Sequence, residues 1–525
     1  METKNESPIS NTYDTSLASE EPLIETKPAP YLDVAKLLEK QGDFGNFQFK
    51  VLVYCILASV AGSLCTLILP FVMMEPDFKC RTSTGALYDC NQQHACSNEF
   101  GYELVIKMQS LVTRYEAYCD NRWMKIWGQS IIFFFSSLIA AIMPNLMERL
   151  GRKAIFTSCA IINFIVILLL FIVDDYWIII GVFTILFATY FVIFGNFYVY
   201  STEVFNGKWR SFANSIFYFA VYSGRLLFVF GNLFLTDTEG NYWFLLVSSI
   251  VFLPLLFLLI ETPFFFNKMK KFEDLRKNLK QINRQNNEGK DEVIKENDEY
   301  IDQEIDDYVQ KVTDLDTSTT VKVEKAEPLF DENLSLCKYI WLMFSITISV
   351  VPYYVLYGLI ESVPYKLGIN NIYVSYSLFL VVTIFINIPL MFILHKIPRK
   401  NGNILLVVML LLCCGAFPLY PLFNLTGPIA QWSQLVITMI AAALGYTQFI
   451  LICRYVNELF PTKLRVLSMS FVLIFGRMST FIANFIDPLS EKYNVHPLSF
   501  NAVIYLFVLP FFWTYEETLN RKTLN

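Results

Sequence analysis

Apolar stretches of about 20 residues recur twelve times along this chain, and no other feature limits its possible folds as tightly. They lie near 50–73, 126–146, 154–173, 177–200, 212–235, 242–265, 338–360, 372–394, 403–423, 431–454, 467–486 and 497–515. As helices, such stretches cross a hydrocarbon core of about 30 Å. No water is available there to satisfy the backbone, so an isolated extended segment is excluded. Only 17% of the residues are charged and 54% are hydrophobic, whereas a soluble domain carries about a quarter charged residues. A soluble enzyme is therefore excluded, and the expectation is an all-α membrane protein. The net charge of −6 carries little weight, because charge is segregated along the chain. Residues 1–30 are polar and acidic, without an apolar core after a basic start, so the first apolar stretch is expected to act as an uncleaved signal-anchor.

The spans divide six and six about a charged segment, Asn267 to Leu336. Its mixed charges cannot cross a bilayer, and its partial helical periodicity predicts short surface helices in a solvated linker. Basic residues set the orientation. Arg149, Arg152 and Lys153 follow span two, Lys208 and Arg210 span four, Lys396, Arg399 and Lys400 span eight, and Lys463 and Arg465 span ten. The opposite short loops hold Asp174, Asp175, Asp237 and Glu239. The basic loops and both termini are thus expected to be cytoplasmic. The predicted organisation is a cytoplasmic segment 1–48, a six-helix bundle 49–266 with a large external loop 74–125, a cytoplasmic linker 267–336, a second bundle 337–516 and a cytoplasmic tail 517–525.

The external loop contains Cys80, Cys90, Cys96 and Cys119. Four cysteines outside the membrane suit two disulfides, with three pairings open. Their irregular spacing and the single neighbouring histidine, His94, argue against a metal site. No cofactor is expected either. The chain has no Gly-rich phosphate loop with Lys-Ser/Thr, and its three histidines, His94, His395 and His496, lie in loops. The partners implied are a small organic solute and the lipid bilayer, with no nucleic acid.

The turn after span two reads Pro144-Asn-Leu-Met-Glu148-Arg149-Leu-Gly151-Arg152-Lys153. It resembles the signature of major facilitator transporters, with Pro144 in place of the usual glycine and Glu148 in place of aspartate. His395-Lys-Ile-Pro-Arg399-Lys400, after span eight, resembles a decayed copy, as two similar six-helix halves predict. Further matches point to the organic ion transporters, the solute carrier family moving organic cations, anions and zwitterions. Gly42-Asp-Phe44-Gly45-Asn-Phe-Gln48 precedes span one, and Cys119-Asp120, Trp123 and Gln129-Ser130 close the external loop. Thr202-Glu203 and Lys208-Trp-Arg210 follow span four, and Glu261-Thr262-Pro263 closes span six with Phe264 where arginine is usual. Span seven holds Tyr357-Gly358-Leu359. Tyr455-Val-Asn-Glu458-Leu459-Phe460-Pro461-Thr462-Lys-Leu-Arg465 follows span ten, and the last segment holds Glu517-Thr518 and Leu524, with Glu516 where proline is usual.

The resemblance runs from Gly42 to Leu524 and implies a major facilitator fold, twelve transmembrane helices in two pseudo-symmetric six-helix bundles. It implies transport by alternating access and no enzymatic activity. It also implies conformational gating by Glu148, Arg149, Gly151, Arg152, Glu203, Arg210, Glu458 and Arg465, through ion pairs that hold one state and break in the other.

Charged residues inside spans need a reason, and the clearest are Arg225 in span five and Arg477 in span eleven. Counted from Pro461-Thr462, Arg477 falls where anion-selecting relatives carry arginine and cation-selecting ones aspartate. Asn387, two residues before Pro389, falls where cation carriers have glutamate. A buried guanidinium can hold a carboxylate, sulfate or phosphate by two hydrogen bonds. The substrate is therefore expected to be anionic or zwitterionic, bound by Arg477, Arg225, Asn387 and the pair Tyr354 and Tyr357. No titrating carboxylate is evident inside the spans, so facilitated diffusion or exchange is the simpler coupling. A sugar or polyol porter is the alternative, as is a transport-inactive subunit of a membrane complex, which the departures at Pro144, Phe264 and Glu516 would suit. The plasma membrane is the first expectation for location and an intracellular membrane the second; the one exoplasmic sequon is Asn424-Leu-Thr426.

Overall fold

The computed structural model describes residues 32–318 and 336–518, apart from 43, 91, 107–108, 206, 233, 235–237, 257–258, 367–371, 394–396, 424–426, 461 and 494. The polar segment before residue 32, His395, the sequon at 424–426 and the tail beyond 518 lie outside the described residues. So do the side chains of Pro144, Arg210, Asn387 and Arg465.

In chain order the elements are α1 (Val34–Lys40), α2 (Asn46–Val72), strands β1 (Asp77–Arg81) and β2 (Leu87–Cys90), α3 (Gln92–Ser97), β3 (Tyr102–Val105) and α4 (Leu111–Arg114). There follow α5 (Arg122–Leu150), α6 (Arg152–Leu169), α7 (Tyr176–Val204), α8 (Gly207–Asn232), α9 (Thr238–Leu256) and α10 (Pro263–Lys268). The charged segment forms α11 (Phe272–Asn286) and α12 (Asp291–Ser318). The rest is α13 (Leu336–Lys366), α14 (Ile372–Ile393), α15 (Arg399–Gly415), α16 (Leu419–Leu422), α17 (Pro428–Leu459), α18 (Thr462–Met478), α19 (Thr480–Lys492) and α20 (Pro497–Trp513).

Every expected span falls on a helix, but the sixth runs past the end of α9 at Leu256, the ninth is α15 with the short α16, and the eleventh is the pair α18 and α19, interrupted at Ser479. Among the described residues, seven helical runs are by themselves long and apolar enough to cross a membrane. Hydroxyls on these helices return to carbonyls four residues back, as Thr184 does to Ile180 (2.8 Å) and Thr447 to Ala443 (2.9 Å), and so need no water.

The two halves pack by the same plan. In the first, α2 lies on α8 and α9, α5 on α7, and α6 on α7 and α9. In the second, α13 lies on α18 and α20, α14 on α17, and α15 on α17 and α20. The halves meet where α5 crosses α18 and α19, and where α8 crosses α14. Close approach between α2 and α8 depends on Gly224: a Cβ there would come within 2.8 Å of the Val60 backbone.

The external loop folds as an antiparallel sheet of order β2-β1-β3, with Phe78 opposite Cys90 and Leu104. The structure resolves the open pairing as Cys80–Cys90 and Cys96–Cys119. Glu75 ties the loop to α5 through Lys125 at 2.8 Å.

In the described part of the charged segment, up to Ser318, the helices pack on each other and include a long one, where short surface helices were expected. Leu275, Leu279 and Ile282 of α11 bury one stripe against Ile301 and Ile305 of α12, whose 28 residues make it a long helix. Asn283 sits buried at the centre, donating to the Ile294 carbonyl (3.0 Å) and Asp298 (2.8 Å). Asn286 then clamps the entry to α2, accepting from the Phe47 N–H at 2.9 Å.

Candidate functional site

Two features gather the chemically distinctive side chains: charged turns at one end of the bundle, and two aromatic cavities in its middle. The charged turns are built twice. In the first half the Arg152 guanidinium meets Glu203 at 2.7 Å, and Thr262 Oγ1 donates to the other Glu203 oxygen at 2.6 Å. Glu261 accepts from the backbone N–H groups of Arg152 (3.0 Å), Lys153 (2.9 Å) and Thr262 (3.0 Å). It thus satisfies the open N–H groups at the start of α6 and places a negative charge at the positive end of that helix.

The second half repeats this group by group. Arg399 meets Glu458 at 2.7 and 3.0 Å, and Thr518 Oγ1 donates to Glu458 at 2.8 Å. Glu517 accepts from the N–H groups of Arg399 (2.8 Å), Lys400 (3.2 Å) and Thr518 (3.1 Å) at the start of α15. Gly151 takes φ +94°, and a Cβ there would collide with the Glu261 carboxylate. Glu148 pairs with Lys268 at 2.9 Å, and Arg149 is exposed at the end of α5. Glu516, where proline is usual, pairs with Lys338 at 3.0 Å.

In the middle of the bundle, Arg477 on α18 lies against three aromatic rings. Its guanidinium is 4.2 Å from the ring centre of Phe191, 5.2 Å from Tyr354 and 6.0 Å from Tyr357. It lines a cavity between the halves, bounded by Ser137 and Met147 of α5, Val199 of α7 and Ser470 of α18. Met147, Val199 and Ser470 lie toward the charged-turn ends of their helices, so the cavity runs that way. Among the described residues, no carboxylate lines it. Arg225 on α8 is 8% exposed and donates from Nη2 to the Tyr357 hydroxyl at 2.5 Å. It lines a second, small cavity with Tyr222, Tyr353, Tyr376, Leu67 and Ala442.

Toward the disulfide-loop end the halves are joined. Asn484 donates to Ser130 (3.3 Å), and Trp127 and Phe134 meet Phe485 and Phe481. Phe71 meets Tyr376 with ring centres 5.6 Å apart.

The expected residues Arg477, Arg225, Tyr354 and Tyr357 are therefore brought together, although the two tyrosines face different cavities. Asn387 lies on α14, with its side chain outside the description. Sequence reasoning missed the roles of Glu261, Thr262, Arg399, Glu517 and Thr518. The available signal was the repeated order of Arg-Lys, Glu and Glu-Thr in both halves.

A model of the family described as Major Facilitator Superfamily matches residues 124–484. Among curated proteins, Solute carrier family 22 member 16 of Xenopus laevis is 25% identical over 427 residues, covering 78% of this chain and 69% of that protein. Among solved structures, the proton:xylose symporter XylE bound to 6-bromo-6-deoxy-D-glucose gives a TM-score of 0.61 at 13% identity, covering 91% of this chain and 98% of that one. The partially occluded inward open conformation of the xylose transporter XylE from E. coli gives 0.62 at 12% identity, covering 91% and 99%. At these identities the likeness to XylE is one of fold.

Proposed function

This chain belongs to the Major Facilitator Superfamily and is a multi-pass membrane transporter of a small solute, not an enzyme; from that premise we propose that it carries small organic anions or zwitterions by alternating access. One observation carries the reading: the Arg477 guanidinium stands in a cavity between the two halves, faced by aromatic rings and, among the described residues, by no carboxylate. A cation would meet repulsion there, whereas a carboxylate or sulfate would gain two charge-assisted hydrogen bonds. Phe191 and Tyr354 suit an apolar body on the same molecule. Among the described residues, Ser137 and Ser470 are the only hydroxyl side chains besides Tyr354 in that lining. A sugar, with a hydroxyl on nearly every carbon, would leave most of its hydrogen-bonding groups unmatched. This favours the amphipathic anion over a sugar of the kind bound in the XylE structure.

The charged turns supply the gate. Glu203 and Glu458 hold Arg152 and Arg399 in the state described, and rocking of one half against the other would loosen these groups in turn. With the charged turns and termini cytoplasmic, as the basic loops indicate, the Arg477 cavity runs toward the cytoplasm. We assign the protein to the plasma membrane. Among the described residues no carboxylate lines either cavity, which favours facilitated diffusion or exchange over proton symport. The test is uptake by reconstituted proteoliposomes of labelled anions, zwitterions, cations and sugars. Saturable uptake of an anion, inhibited by other anions and not by sugars, supports the proposal. Uptake of cations or sugars in its place refutes it.

A further inference from the structure

Near the middle of the bundle each half reaches an arginine across to an aromatic ring of the other. Arg477, on α18 of the second half, stands over the face of Phe191, on α7 of the first, with its guanidinium carbon 4.2 Å from the ring centre. Arg225, on α8 of the first half, meets Tyr357, on α13 of the second, by a hydrogen bond of 2.5 Å and at 4.9 Å from the ring centre. Two turns beyond Arg477, Asn484 and Phe485 of α19 meet Ser130 and Trp127 of α5 and join the halves toward the disulfide-loop end.

The contact with Phe191 is one that an anion can undo. Attraction of a guanidinium to a ring face depends on its positive charge and grows as water is excluded. Arg477 and Phe191 are both half-buried. A carboxylate or sulfonate that pairs with Arg477 cancels much of the charge the ring attracts. Anion binding and the contact with Phe191 therefore oppose each other, and by linkage each weakens the other by the same factor.

We infer that the Phe191–Arg477 contact is a tie between the halves that the substrate releases, so that the protein works as an exchanger. The tie acts on Arg477 as the anion anchor of the proposed function and stands only with that reading. In the empty carrier the guanidinium holds α18 to α7, and rocking of the halves must overcome that attraction. In the loaded carrier the anion has already weakened it, so the halves part more easily. The anion thus supplies the differential interaction that any ligand needs in order to shift a conformational equilibrium. An empty carrier returns slowly and a loaded one quickly, which makes the exit of one anion the fast route for the entry of another.

Uptake of radiolabelled 1-naphthalenesulfonate, which stays ionised and so leaks little through lipid, tests this in proteoliposomes of the full chain. Uptake into vesicles preloaded with the unlabelled compound is compared with uptake into empty ones. Wild type is expected to be faster into preloaded vesicles by about threefold or more, the scale of a partly buried cation–ring contact. In Phe191→Leu the ratio should fall toward one, because uptake into empty vesicles quickens, and KM should not rise. Phe191→Tyr keeps a ring for the guanidinium and should keep the wild-type ratio. Phe183→Leu, two turns away on α7 where the ring packs against Tyr242 at 6.3 Å, should lower the melting temperature without changing the ratio. An unchanged ratio in Phe191→Leu, or a raised KM in its place, overturns the tie and leaves the proposed function standing. So does a wild-type ratio of one, or a ratio in Phe191→Tyr as low as in Phe191→Leu. No saturable uptake by wild type overturns both.

Discussion

Removing the carboxylate opposite Arg152 is the perturbation whose size the structure sets most directly. The side chains of Arg152 and Glu203 are 6% and 14% exposed and lie 2.7 Å apart. Glu203→Gln keeps the shape and an acceptor for Thr262 but leaves the guanidinium without its facing charge. Breaking a buried pair from one side costs about 3–5 kcal/mol, while replacing both partners is close to neutral. Arg152→Met and Glu203→Gln should therefore each lower the melting temperature, and the double variant should fall no lower than the worse single one. The nearby pair Glu148–Lys268 serves as control. Its side chains are 33% and 49% exposed, and such pairs contribute under about 1 kcal/mol, so Glu148→Gln should change little. The assay is thermal unfolding of the purified chain in one detergent, followed by tryptophan fluorescence. The same non-additivity is expected of Arg399 with Glu458. Additive losses, or a Glu148→Gln loss as large as that of Glu203→Gln, would refute the reasoning.

Gly151→Ala should lower the melting temperature more than Gly289→Ala. Both positions have positive φ, which costs about 1–3 kcal/mol for other residues, but only at Gly151 does the new Cβ meet a carboxylate. Asn286→Ala removes the acceptor of the Phe47 N–H, a loss of about 1–3 kcal/mol. Hydrogen exchange at residues 41–48 should then quicken at least about fivefold, and unchanged protection would show that the α11–α12 hairpin does not hold the entry to α2. Peptide mapping without reduction should recover Cys80 joined to Cys90 and Cys96 joined to Cys119. Any crossed pair would contradict the loop fold.

The spans were legible because crossing lipid demands apolar length, a property of contiguous residues. The eleventh was harder, since Ser479 interrupts it without a change in hydropathy. The charged turns were half legible. Arg152, Glu203 and Glu458 stood out by motif, but the carboxylates that cap α6 and α15 are Glu261 and Glu517, more than a hundred residues away in sequence. Only the repeated order of residue types in the two halves hinted at them. Arg399 was seen as part of a decayed copy, yet it is the full counterpart of Arg152. The charged segment showed helical period but not its docking, because that depends on Asn283 and Asn286 meeting partners outside their own helix. Tyr354 and Tyr357 were rightly placed on one helix. Their three-residue spacing could not tell that one turn along α13 separates two cavities. Disulfide pairing depends on the three-dimensional fold of the loop, which brings Cys90 of β2 to Cys80 of β1 and Cys96 of α3 to Cys119, and which no spacing of four cysteines specifies.

The central claim is that the positive charge of Arg477 selects the substrate. Uptake of a labelled aromatic carboxylate into proteoliposomes should be compared for wild type, Arg477→Lys and Arg477→Gln, with correct folding checked by melting temperature. The account predicts saturable uptake by wild type and a raised KM in Arg477→Lys, which keeps the charge but loses the two-pronged geometry. It predicts loss of uptake in Arg477→Gln by more than about tenfold, since one charge-assisted hydrogen bond contributes about 1.5–3 kcal/mol. Equal uptake by wild type and a well-folded Arg477→Gln would contradict it.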